Sequence, residues 1–174
     1  MDITVSEACR RLEAQGVLRR LLKDQSEGIV QQVREVLGGR MPADLEALYR
    51  ERVASIGDFL AILPTWNARP EWRREGEIRA LAPAQAVPIF SDGCGSLYGL
   101  DLSAGDQRPA VYFFDHEDLF DRPRWAAGSS IGHFLLLLGQ HDQAIEEGRS
   151  PGWERSIDPD IDKCPRAPPL WLAD

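Results

Sequence analysis

Apolar residues change their spacing along this chain, and the changes mark its elements. Val5, Cys9, Leu12, Leu18 and Leu21 or Leu22 recur at a helical period behind the capping-box sequence Thr4-Val5-Ser6-Glu7. This predicts a first helix over about residues 5–23, weakened in its middle by Gly16. Ile29, Val33 and Val36/Leu37 share one face of a second helix, 27–37, that stops at Gly38-Gly39. Pro42 suits the first turn of a third, with Leu45, Leu48, Tyr49 and Val53 turned inward.

Beyond residue 57 the pattern shortens to strand length. Phe59–Leu63 is a buried strand by composition, ended by Pro64, with a helical end the alternative. Residues 67–85 are charged, with room for one short helix around Glu71–Leu81. Ala86–Phe90, Leu97–Leu102 and Ala110–Phe114 are β-branched, aromatic or alternating runs. Turn residues Ser91-Asp92-Gly93-Cys94-Gly95 and Ser103-Ala104-Gly105-Asp106 separate them, so the three fold back as an antiparallel meander. Helical spacing returns at Ile131, Phe134, Leu135 and Leu138, with Gly139 a candidate break before Gln140–Glu147. Five prolines between Pro151 and Pro169 make the end an irregular arm, and Trp153 and Trp171 anchor it to the body. The fold class is therefore α+β: one domain with a central antiparallel, or mixed, sheet flanked by helices. Its core spans about residues 27–148, with an N-terminal helical extension (1–26) and a Pro-rich arm (149–174).

A length of 174 residues supports one good core. Met1–Glu7 carries an early acid and no apolar run, and the longest greasy stretch is Phe134–Leu138, so neither export nor membrane insertion is expected. Three cysteines at unrelated spacings, Cys9, Cys94 and Cys164, suit a reducing cytoplasm better than a disulfide framework. The net charge of −8 is unevenly placed: residues 1–85 hold 13 basic and 13 acidic side chains, residues 86–174 hold 7 and 15. Such a field repels nucleic acid and draws basic partners, although solubility alone also favours acid.

Candidate chemistry is weighed against simpler roles. Cys94, His116 and Asp115 would compose a hydrolase triad, but neighbours at a strand end point to opposite faces, so Asp115 is poorly placed to orient His116. His116, Glu117, Asp118, His133 and His141 lack the spacing of a metal set, and no cofactor is expected. Asp158-Pro159-Asp160-Ile161-Asp162 imitates the start of a calcium loop but has Lys163 where glycine is required, and reads as a solvated acidic turn. The Gly93–Gly95 turn leads into a strand, not a phosphate-holding helix. The pairs Arg10-Arg11, Arg19-Arg20 and Arg73-Arg74 are interleaved with acids and read as ion-paired helix faces. What is left is the acidic cluster Asp115, Glu117, Asp118 and Asp121. Flanked by Tyr112, Phe120 and Trp125, it offers carboxylates beside aromatic anchors to a partner's Lys or Arg. The alternative role for these acids is a helix N-terminal turn.

The order of these pieces is also familiar. A Pro-led helix (Met41–Tyr49), the VPIF turn, the GLDLS and VYFFDHE strands, and a helix opening Ser129-Ser130 with Phe134-Leu135 together resemble the SUKH superfamily over roughly Ile29 to Leu138. That superfamily includes the fungal cell-wall assembly regulator and many bacterial immunity proteins. This chain has Ser55-Ile56-Gly57-Asp58 where the family usually has an Asn-Gly-Gly type turn, and Cys94 where a third glycine is common. The resemblance implies a non-enzymatic binding protein, an immunity protein that neutralises a cognate bacterial toxin by binding it, and the acid excess implies that this partner has a basic surface. A regulatory or scaffold adaptor of the same fold is the alternative, and a small cysteine- or carboxylate-dependent hydrolase a further one. The partner-binding residues expected are Asp115, Glu117, Asp118, Asp121, Phe120 and Trp125.

Overall fold

Gly16 decides how the chain begins. The computed structural model describes residues 3–22, 26–62, 80–103 and 109–172. Helix α1 covers Val5–Ala14, its start capped by Thr4 Oγ1 accepting from the Glu7 N–H at 3.2 Å. Gly16 then adopts φ +75°, its N–H donating to the Glu13 carbonyl, which ends the helix. The expected helix to residue 23 is therefore too long, and Leu18–Arg20 instead forms strand β1. Leu18 only happened to continue the helical spacing, and it opens an edge strand.

Helix α2 (Ser26–Val36) ends at left-handed Gly38 and Gly39, as the glycine pair suggests. Helix α3 (Ala43–Arg50) follows Pro42 at its N-cap. It stops three residues short of Val53, because Arg52 at φ +56° reverses the chain. Val53 is buried as expected, but as the first residue of strand β2 (Val53–Ile56). Strands β3 (Phe59–Ala61), β4 (Ala86–Ser91), β5 (Leu97–Asp101) and β6 (Val111–Phe114) fall on the expected runs. β3 is shorter than expected, and its predicted end, Leu63, lies outside the described residues, as does the predicted Glu71–Leu81 helix apart from its last two positions. Strand β7 (Trp125–Gly128) is an addition.

The seven strands lie in sequential order, β1 to β7, and every neighbouring pair is antiparallel. The sheet is thus a pure meander, not a mixed one. Alternation divides its two faces: Val111 and Phe113 join one apolar cluster, Tyr112 and Phe114 the other. A bulge in β4, where Pro88 pairs with Gly99 but Phe90 with Tyr98, lets Ile89 and Phe90 both serve the first cluster.

That first cluster is roofed by all four described α-helices. Its spine is α4 (Ile131–Glu146), which starts at Ser130, whose Oγ accepts from the His133 N–H at 3.3 Å. The helix runs unbroken through Gly139, contrary to the expected interruption. Glycine is there for proximity: a Cβ on Gly132 would lie 2.2 Å from the Ile3 carbonyl oxygen, and one on Gly139 2.1 Å from Leu12 Cδ2. The two glycines are two turns apart, on the face where the α1 segment crosses. The N-terminal extension is accordingly docked, with Val5, Ala8, Cys9 and Leu12 all buried.

The arm after α4 is irregular but packed. It passes through three short 3-10 turns, at Trp153–Ser156, Ile161–Lys163 and Leu170–Leu172. Ile161 and Ala167 enter the second cluster beside Tyr112 and Phe114. The Pro168 carbonyl accepts from the Ala126 N–H at 2.7 Å, and Pro169 bridges to Ala126, so the arm lies along the β7 edge. Two polar ties hold it. Arg166 donates through its backbone N–H to Tyr112 Oη at 3.2 Å and through Nη1 to buried Asp101 Oδ1 at 3.0 Å. Asp158 is fully buried, against the expectation of a solvated acidic turn. Its Oδ2 and Oδ1 accept from the Ser129 N–H and Oγ–H, both at 2.6 Å, and Oδ1 from the Asp160 N–H at 3.2 Å. The carboxylate therefore sits at the N-terminal end of α4, where the helix dipole favours negative charge. Asp160 and Asp162 are exposed, as expected. Among the described residues no helix is long and apolar enough to cross a membrane.

A candidate partner-binding surface on the β6–β7 loop

The six residues expected to bind a partner all lie on one stretch, from the end of β6 into β7, but they are not equivalent. Asp115 Oδ1 accepts from the Glu117 N–H at 2.9 Å, turning the chain out of β6. Arg124, at the return, reaches both acids of the turn: its Nη2 is 3.5 Å from Asp115 Oδ2 and its Nε binds Asp118 Oδ2. Two of the four expected carboxylates are thus matched internally. Glu117 and Asp121 project into solvent. The acids do not open a helix here, so the helix N-terminal role considered for them falls away.

Between these acids the backbone does something unusual. Leu119 and Phe120 are consecutive non-glycine residues with positive φ, +54° and +60°. Each left-handed residue of this kind costs about 1–2 kcal/mol. The Leu119 N–H donates to the His116 carbonyl at 3.0 Å, and the Phe120 N–H to the Asp115 carbonyl at 3.2 Å, which fix the turn. The result is that Phe120 folds back against the second apolar cluster while Leu119 stands 85% exposed. Backbone strain of this kind clusters at functional sites. Phe120, expected as an anchor for a partner, is half-buried and props the loop, and Leu119 is the residue that reaches out.

The aromatic flank also divides. Trp125 stacks on Phe113, centroids 4.0 Å apart and planes at 10°, and remains partly exposed. Tyr112 is buried, its phenol pushed up to about 12 chiefly by desolvation, and it faces the arm instead of a partner. Leu119 and Arg124 were missed as site residues. Their signals in the sequence were an apolar pair inside an acidic stretch and two bases, Arg122 and Arg124, closing it.

The family model of the SMI1 / KNR4 family (SUKH-1) matches residues 26–135, from the start of α2 into α4 and across β2 to β7. The chain belongs to this family. No curated protein and no solved structure matches it. The matched residues of the SUKH-1 domain include the whole β6–β7 loop, whereas α1 and the arm lie outside them.

Other groups singled out in the SUKH-1 domain are dispersed. His116 Nδ1 lies 3.0 Å from Ser96 Oγ, and Asp115 Oδ1 is 3.6 Å from the same nitrogen, beyond hydrogen-bonding distance. Cys94 is exposed on the β4–β5 turn, its backbone N–H held by Asp92 Oδ1. Burial pushes the thiols of Cys9 and Cys164 up to about 12. His133 is buried at the start of α4, and His141, two turns on, packs edge-on against Phe59. Among the described residues no three His, Cys, Asp or Glu side chains converge as metal ligands. Of the arginine pairs, Arg10 and Arg11 both reach Glu7, and Arg20 pairs with Glu13 and Glu51. Arg73-Arg74 lie outside the described residues.

Proposed function

We propose that the domain acts by binding and not by catalysis, as a cytoplasmic immunity protein that occupies a basic surface of a toxin domain. The observation that carries this reading is the Leu119 tip, an apolar side chain held out on two left-handed residues and rimmed by the exposed carboxylates of Glu117 and Asp121. Such a tip fits an apolar hollow with cationic edges. The leucine would be the desolvated centre of the contact, and the acids would steer the approach. The acid excess of residues 86–174 supports the same sign of partner.

The test is to express the chain with toxin domains encoded beside its gene and to measure complex formation and cell survival. Binding with protection is the expected outcome. Glu117→Lys with Asp121→Lys is expected to slow association at least tenfold at low salt, and Leu119→Asp to raise the dissociation rate. Binding without protection would favour the regulatory-adaptor role. A complex that leaves the β6–β7 loop in solvent would refute the assigned surface.

A further inference from the structure

A second surface feature lies on the other side of Trp125. Between β5, β7, α4 and the arm is a cavity of about 110 Å³ that opens to solvent. Tyr98, Trp125, Phe134, Trp153 and Trp171 make it largely aromatic; His141 also lines it, and among the described residues Glu154 is its only acidic one. Two polar atoms at this site are buried and have no hydrogen-bond partner among the described residues: Glu154 Oε2 and Trp171 Nε1. A carboxyl oxygen and an indole donor are thus left unmatched beside several π faces.

Two tryptophans of the wall already meet cations, from residues that are not part of the lining. Arg149 lies over the Trp153 ring at 5.3 Å and Arg155 over Trp171 at 5.0 Å. Both guanidinium groups are balanced, Arg149 by Glu147 and Arg155 by Asp162, so neither neutralises Glu154. An unpaired buried carboxylate oxygen is costly and gains most from a cation, and aromatic faces add to the attraction.

We propose that this cavity binds the side chain of a lysine or arginine from a protein partner, with Glu154 taking the positive end and Trp171 Nε1 donating to a carbonyl of the same segment. It deepens the reading of a partner with a basic surface and rests on that reading for the source of the side chain. Trp125 joins the two surfaces, since it follows the β6–β7 loop directly and forms part of the cavity wall. A partner seated on the Leu119 tip would present its neighbouring cationic residue here.

The test needs no partner. The ¹⁵N-labelled full chain is titrated with Nα-acetyl-lysine methylamide, Nα-acetyl-arginine methylamide and the uncharged Nα-acetyl-norleucine methylamide, following the indole N–H resonances. At least one cationic probe should shift the Trp171 indole saturably, with a dissociation constant on the order of 1 mM. The norleucine probe should bind at least tenfold more weakly, and Glu154→Gln should weaken the cationic probe by a similar factor. Equal binding of norleucine, no Trp171 shift with either cation, or full affinity in a Glu154→Gln variant of unchanged spectrum would each overturn the proposal. The norleucine comparison uses the unaltered protein and stands even if the variant misfolds. A chain that binds the lysine probe but protects no cell refutes the immunity reading alone, and protection without probe binding refutes only the cavity.

Discussion

Replacing Gly132 by alanine should destabilise the domain, although the same change in a typical helix would stabilise it. Alanine gains about 1 kcal/mol over glycine in helix propensity. Against this, the new Cβ would sit 2.2 Å from the carbonyl oxygen of Ile3 and 2.9 Å from its carbonyl carbon. Carbon–oxygen contacts settle at about 3.3 Å or more, so the residues leading into α1 must retreat by about 1 Å. Those residues are backbone, and they include Thr4, whose side chain caps α1. Overpacking of this kind costs about 1–3 kcal/mol, and disturbing a cap about 1 more. The net expectation is a loss of about 2 kcal/mol. Gly139→Ala is the control. Its obstacle is Leu12 Cδ2, the end of a side chain, and Gly139 also borders an opening of about 350 Å³ shared with Val17 and Gly57. Leu12 can shift at a cost close to the propensity gain, for a net change of about 0–1 kcal/mol. Urea denaturation of both variants measures the difference directly. In thermal unfolding Gly132→Ala should fall by about 4–8 °C. Equal stability of the two variants, or a Gly132→Ala protein at least as stable as the parent, would refute the close docking of α1 on α4.

Other outcomes follow from named groups. Leu119→Gly removes a left-handed non-glycine residue and should raise stability by about 0.5–1 kcal/mol while weakening partner binding, and a destabilised variant would deny the strain. Asp158→Ala leaves the Ser129 N–H and hydroxyl without their acceptor; it should cost about 3 kcal/mol and speed proteolysis within the arm, whereas unchanged protection would mean that Asp158 does not hold it. Cys94 should react with a thiol reagent in the native protein at pH 8, and Cys9 and Cys164 only after unfolding, as counted by mass. Burial also raises Tyr112 to about 12 and drives Tyr49 and Tyr98 higher still. The fold therefore favours the protonated forms. Stability should be level below the unfolded cysteine value of about 8.5, and should fall as pH rises through 9 towards 12. A flat denaturation profile to pH 11 would contradict these shifts.

The meander was legible because β4, β5 and β6 carry largely apolar runs between turns that contain glycine, and such runs have few other uses. β7 was not, since Trp125-Ala126-Ala127-Gly128 has the side chains of a close-packed strand and none of the β-branched signal. β1 and β2 were hidden for a different reason. Leu18 and Val53 happened to continue the helical periods before them, and the reversals at Gly16 and Arg52 act through backbone angles that periodicity does not register. Gly139 looked like a break because proximity to another segment cannot be read from one helix. At the candidate surface, the acids were visible as a cluster. Their inequality was not: whether Asp118 is free or held depends on Arg124 returning across the turn, a fact of tertiary geometry. Asp158 was misread because an acid beside prolines usually faces water, and only the docking of the arm on α4 buries it.

The arm comes from outside the family-matched residues 26–135, yet it supplies Trp153, Glu154 and Trp171 to the aromatic cavity. The chemistry of that wall is therefore set in part by residues other than those that pair the strands. A different tail laid along the same β7 edge would present new chemistry to a partner without altering one hydrogen bond between the strands.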